Sequence, residues 1–183
     1  MTSSLDDPAC EVAHGTADEI AHGTAEAPAA TGRVLVAVFA SPVANFLLRY
    51  GRDAGYRAVL VEPDPERAKA APDGDVDVAD RVRSQPDGPA DVVVCDHHRP
   101  ELGLVLRDAL ATDARWIGVM GNPRVPAPHI PALAELGVPP DEIARVHRPI
   151  GLNIGSRAPA EIAIATLAGL IADRNGKPGG LTF

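Results

Sequence analysis

The chain has 183 residues and a formal charge of −8, a balance that excludes a protein tracking nucleic-acid phosphates on a basic face. With 45% hydrophobic residues it can build a globular core, yet no apolar run approaches the ~20 residues needed to span a bilayer. Only 3% are aromatic, so Ala, Val, Leu and Ile must fill that core.

Residues 1–31 read as a flexible acidic leader. It carries a tandem repeat, AHGTADEI followed by AHGTAEAP, and no apolar pattern from which to build a core. The opening MTSSLDDPACEVAHG lacks the basic and apolar regions of a signal peptide, so a cytoplasmic location is expected. His14 and His22 recur in the repeat without other ligand types, which favours a solvated tail over a metal site. Cys10 and Cys95 do not make a disulfide framework.

From Val34 the pattern changes. VLVAVFA is a buried-strand run, and PVANFLLRYGRDAG is a helical stretch with Val43, Phe46, Leu47 and Tyr50 on one side. AVLVEP is a second buried strand, and Val76 and Val78 mark a weak one. DVVVC is the next, followed by a helix, PELGLVLRDALA, with Leu102, Val105, Leu106 and Leu110 inward, and then the strand RWIGVMG. The final helix follows Pro159, which suits a first helical position. Ile164, Leu167, Ala168 and Ile171 recur at helical spacing and predict its buried face. Apolar strands alternating with amphipathic helices predict right-handed βαβ units. The expected fold is α/β, a Rossmann-like doubly wound parallel sheet, in a single domain over 32–175 with a C-terminal tail at 176–183.

Ligands in such a sheet bind beyond the carboxyl ends of the strands. The loops there are Ala40 to Pro42, Glu62 to Asp64, Asp96 to Arg99, and Gly121 to Arg124. A dinucleotide fingerprint needs a glycine triplet and an acid about twenty residues later. Glu62 supplies the acid, but the glycine positions fall on Phe39, Ser41 and Ala44, and Pro42 removes an N–H. NAD(P) is therefore disfavoured. His97 and His98 follow a buried strand, and their expected arrangement is a surface turn with one hydrogen-bonded histidine, not a metal site. Cys95 ends VVVC and reads as a buried, inert thiol. Arg124 offers a fixed charge among the stiffening Pro123, Pro126, Pro128 and Pro131. Past Gly151 and Gly155, the loop before the last helix carries Asn153, Ser156 and Arg157, a natural place for an anion at a helix start. Together Arg124 and Arg157 could clamp a phosphate or pterin phosphate. Each could equally pair with a surface carboxylate. His147 either lines the same crevice or caps the short helix DEIARV.

RWIGVMGNPR and LAELGVPPDEIARVHRPIGLNIGSRAPAEIAIATLAGLIADR, with weaker support from GYRAVLVEPDPERA and VVVCDHH, resemble the C-terminal Rossmann domain of the XdhC/CoxI family. Those proteins are accessory factors in the maturation of molybdenum hydroxylases such as xanthine dehydrogenase and carbon monoxide dehydrogenase. The resemblance implies binding of molybdenum cofactor, contact with a hydroxylase subunit, and self-association, for which a homodimer is one form. The chain is read as an accessory protein rather than an enzyme with its own turnover. The alternatives are an NAD(P)-binding oxidoreductase-like protein or a degenerate docking module with no small-molecule ligand. Its charge and lack of an apolar span speak against nucleic acid and membrane. The cofactor-binding residues that the resemblance points to are Gly121, Arg124, Asn153, Gly155, Ser156 and Arg157, with Glu62 and His98 opposite. Where the family has a Gly-x-Gly-type first loop, this chain reads FASPVA.

Overall fold

The computed structural model describes residues 32–179 apart from 73, 86–87 and 123. The leader, with its repeat, Cys10, His14 and His22, lies outside the described residues, as do Pro123 and residues 180–183.

Six strands form one parallel sheet: β1 (Val34–Val38), β2 (Arg57–Val61), β3 (Asp77–Ala79), β4 (Ala90–Val94), β5 (Trp116–Val119) and β6 (Val146–His147). Their order is β3-β2-β1-β4-β5-β6. The order reverses between β1 and β4, the arrangement that opens a crevice in a doubly wound sheet. The expected fold class is thus present. The first four apolar runs appear as β1, β2, β4 and β5 because strands covered on both faces are apolar throughout. β6 has only two residues and no such signal.

The helices are α1 (Pro42–Asp53), α2 (Pro65–Ala68), α3 (Leu102–Leu110), α4 (His129–Glu135), α5 (Pro140–Ile143) and α6 (Pro159–Arg174). Side chains of a strand alternate between faces, and β1 feeds both cores. Val34, Val36 and Val38 pack with Leu102, Val105 and Leu106 of α3, Leu133 of α4 and Ile143 of α5. Leu35 and Ala37 pack on the other side with Ala44, Leu47 and Leu48 of α1 and Ala163, Leu167 and Leu170 of α6. The result is three layers.

Two helix faces differ from the sequence reading. α1 buries Ala44, Leu47, Leu48 and Gly51, while Val43, Phe46 and Tyr50 are only half-buried. Close approach to the sheet decides the phase: a Cβ on Gly51 would stand 2.6 Å from Leu35 Cδ2. α6 buries Ala163, Ala165, Thr166, Leu167 and Leu170, and Ile164 is 55% exposed. This helix is apolar around most of its circumference, so spacing alone did not select its inner side. At the sheet's amino-terminal end, Arg115 bridges buried Asp91 and Asp173 of α6, both at 2.6 Å. That clamp holds the far end of α6 and leaves its start to border the ligand side.

Candidate functional site

Above β1 and β2, the space that would receive a dinucleotide holds the protein's own side chains. Phe39 has φ +73°, a left-handed conformation that is costly for a residue with a Cβ. It occupies the position where the fingerprint has its first glycine. Its ring is fully buried, and the Arg99 guanidinium lies over it at 4.5 Å from the centroid. Arg99 arrives from the loop after β4 and grips Glu62 with two hydrogen bonds of 3.1 and 2.9 Å. This fork-on-carboxylate geometry is the strong form of the pair. Glu62 also accepts from the Ala40 and Asp64 amides, at 2.9 and 3.1 Å. Burial alone would raise its pKa, but the bonds from Arg99 and the two amides outweigh it and hold the carboxyl below the usual range. Ser41 Oγ caps α1 by accepting from the Ala44 amide at 3.1 Å. The helix start is thereby occupied.

On the other side of the reversal the sheet end is open. A crevice of about 710 Å³ runs over β4 and β5 to the start of α6, within the roughly 300–1,000 Å³ common for small-molecule sites. One wall is Cys95 to His98, the second is Met120 to Asn122 with Arg124, and the third is Pro149 to Ser156 with Thr166. The third wall packs on α6 through small residues: Gly151, at φ +79°, has Thr166 backbone atoms 3.1 to 3.2 Å from where its Cβ would be. The Leu152 amide then donates to the Ala165 carbonyl at 3.1 Å. Beyond it, the amides of Asn153, Ile154, Gly155 and Ser156 donate to no acceptor among the described residues. Successive free N–H groups in a loop are an anion-binding element.

The second wall is fixed from behind by Arg148, which donates to the Asn122 carbonyl at 3.0 Å and the Val125 carbonyl at 3.2 Å. Gly121 makes room for it, since a Cβ there would stand 2.7 Å from Arg148 Nε. Arg124 is exposed and pairs with no carboxylate among the described residues. In the first wall, His97 and His98 hold their rings 4.0 Å apart. Burial, then His98 and Arg148, lower the pKa of His97, so it is neutral at neutral pH. Burial and the adjacent Asp96 push the Cys95 thiol up to about 12, which makes it inert as a nucleophile. No three His, Cys, Asp or Glu side chains gather into a metal set among the described residues.

The crevice therefore brings together His98, Gly121, Arg124, Asn153, Gly155 and Ser156. Two expected residues stand apart. Glu62 is buried and committed to Arg99, because an uncompensated arginine beside it would otherwise be desolvated. Arg157 is exposed one residue beyond the rim, so the two-arginine clamp does not form and Arg124 stands as the arginine of the lining. Ser156 Oγ donates to Glu161 Oε2 and accepts from the Ala158 amide, so this hydroxyl is tied into the turn that leads into α6 instead of facing free. His147 lies at the sheet edge, stacked on Trp116 at 5.0 Å, away from the crevice. Arg99 and Arg148 escaped the sequence reading, since each acts through contacts distant along the chain. A charged residue next to a Pro in a strand-end loop, as in Arg99-Pro100 and Arg148-Pro149, was the signal available.

No helix among the described residues is long and apolar enough to cross a membrane. In comparisons with known proteins, the chain is similar to a Bacillus halodurans protein described as a xanthine dehydrogenase, with a TM-score of 0.58 and 25% identity, over 80% of this chain and 46% of that one. It is 42% identical over 66 residues to the uncharacterized protein YqeB of Escherichia coli K12, covering 36% of this chain and 12% of that protein. The chain thus spans less than half the length of either relative. The family model described as the XdhC Rossmann domain matches residues 35–170. From sheet order, crevice and this match together, the chain belongs to the XdhC Rossmann domain family.

Proposed function

We propose that the chain is an accessory factor in the maturation of a molybdenum hydroxylase of the xanthine or carbon monoxide dehydrogenase type. In this reading it holds molybdenum cofactor in the crevice over β4 and β5 and presents it to a hydroxylase subunit. Family membership and the similarity to a protein described as a xanthine dehydrogenase support the general role. The observation that carries the site is a crevice lined by Asn153 to Ser156, whose amides have no acceptor among the described residues, and by Arg124.

That donor set fits an anionic pterin phosphate: neutral N–H groups and one fixed cation, with apolar Met120, Ile150 and Leu152 for a flat ring system. Arg124 and the amides bind the phosphate, and Gly155 keeps a side chain out of the way. Molybdenum cofactor supplies the redox metal that the hydroxylase uses; this chain holds and shields it without turnover. Exposed Ile154 and Ile164, at 49% and 55%, suit contact with the receiving subunit. NAD(P) is a poorer fit, because Phe39, Arg99 and Glu62 fill the space that its pyrophosphate and ribose need.

The test is to purify the chain from molybdenum-replete cells and measure its molybdenum content and optical spectrum. Native protein should carry cofactor, and Arg124→Ala should lose at least about tenfold in affinity, some 1.4 kcal/mol, with its melting temperature nearly unchanged. Protein that co-purifies with a hydroxylase but never holds molybdenum would overturn the cofactor role.

A further inference from the structure

A second concavity, about 470 Å³, lies between α4, α5 and β6, and shares no lining residue with the main crevice. Its walls are largely apolar, with Ile130, Pro140, Ile143 and Val146. Two polar side chains line it, His129 and Arg148. His129 is only 4% exposed, and its buried Nδ1 has no hydrogen-bond partner among the described residues. A buried polar atom left unpaired is costly unless something supplies the partner. Arg148 spends two of its five N–H groups on the Asn122 and Val125 carbonyls. It has no carboxylate partner among the described residues, so its charge is uncompensated.

We propose that this groove is a second ligand site, which takes a short-chain aliphatic carboxylate. The apolar end rests against Ile130, Ile143 and Val146, and the carboxylate accepts from the Arg148 guanidinium and from the N–H of His129 in its Nδ1-protonated tautomer. The chemistry of the walls selects this class. A phosphate dianion would need a wetter, more donor-rich site. A purely apolar body would leave the His129 nitrogen unpaired and the arginine uncompensated. The nearness of the two groups is felt electrostatically as well, since burial and then Arg148 lower the pKa of His129.

The probe is sodium isovalerate, titrated into the whole chain and followed by amide chemical shifts. Saturable changes are expected at Ile130, Ile143 and Val146, with Asn153 to Ser156 unmoved. Isovaleramide, the same shape without the charge, should bind at least about tenfold more weakly. His129→Phe removes the nitrogen, and Ala144→Phe, at an exposed position of the groove wall, fills the space without touching either polar group. Each should abolish saturation, and Ala144→Phe decides the matter if His129→Phe does not fold. Equal binding of acid and amide, no saturation in the native chain, or undiminished binding by Ala144→Phe would overturn the proposal. Failure of the molybdenum test leaves these shifts unaffected, because the two cavities share no lining residue and Arg148 reaches the main crevice only from behind its second wall.

Discussion

The loops after β1 and β2 and the loops after β4 and β5 stand side by side at one end of one sheet, yet meet ligand space in opposite ways. In the first pair, Phe39 takes a left-handed backbone, Arg99 covers its ring, and Glu62 closes the end of β2 with four hydrogen bonds. In the second, four amides and an arginine are unclaimed around an open volume. A topology that provides a crevice does not decide which half of it is used. Side chains at the strand ends decide that, and here the Arg99–Glu62 ion pair fills the ends of β1 and β2.

The comparison breaks most severely at Arg99. Its side chain is 6% exposed and that of Glu62 is fully buried, so Arg99→Leu leaves a desolvated carboxylate and should cost about 3–5 kcal/mol. Urea unfolding at neutral pH measures this. Because the folded pKa of Glu62 is depressed, the pair's contribution is complete above the ordinary glutamate range and is lost as pH falls through the folded value. The gap between native and variant should therefore narrow in acid; a gap independent of pH would assign the loss to packing on Phe39.

A smaller effect is expected at Phe39 itself. Phe39→Gly removes a buried ring but relieves the left-handed strain, for a net loss of about 2–3 kcal/mol. Calorimetry with NAD and NADP should still show no binding, since Arg99 and Glu62 remain. Saturable binding by the variant would mean that the phenylalanine alone excludes the nucleotide. The smallest effect belongs to Arg157. Outside the lining and exposed, it should change neither stability nor molybdenum content when replaced by Ala, in contrast to Arg124. Equal losses at the two positions would restore the clamp that the sequence suggested.

The sheet was legible because runs such as VLVAV and DVVV have one physical explanation, burial on both faces. Helix phases were less so. In α1 the small Ala44 and Gly51 face the sheet, where closeness matters more than the hydrophobicity of Val43 or Phe46. Of the site, the loops were legible from topology, and six of the eight expected residues line one crevice. What spacing could not show is pairing across the fold: Glu62 with Arg99, or Arg148 with the carbonyls of Asn122 and Val125. Those contacts depend on which strands become neighbours, and they determine which charges are already spent.

The brevity of the two outermost strands has its own outcome for assembly. β3 has three residues and β6 two, so neither rim offers another chain a row of backbone groups long enough to extend the sheet. Among the described residues, the surfaces left for association are those of helices and loops, side chain against side chain.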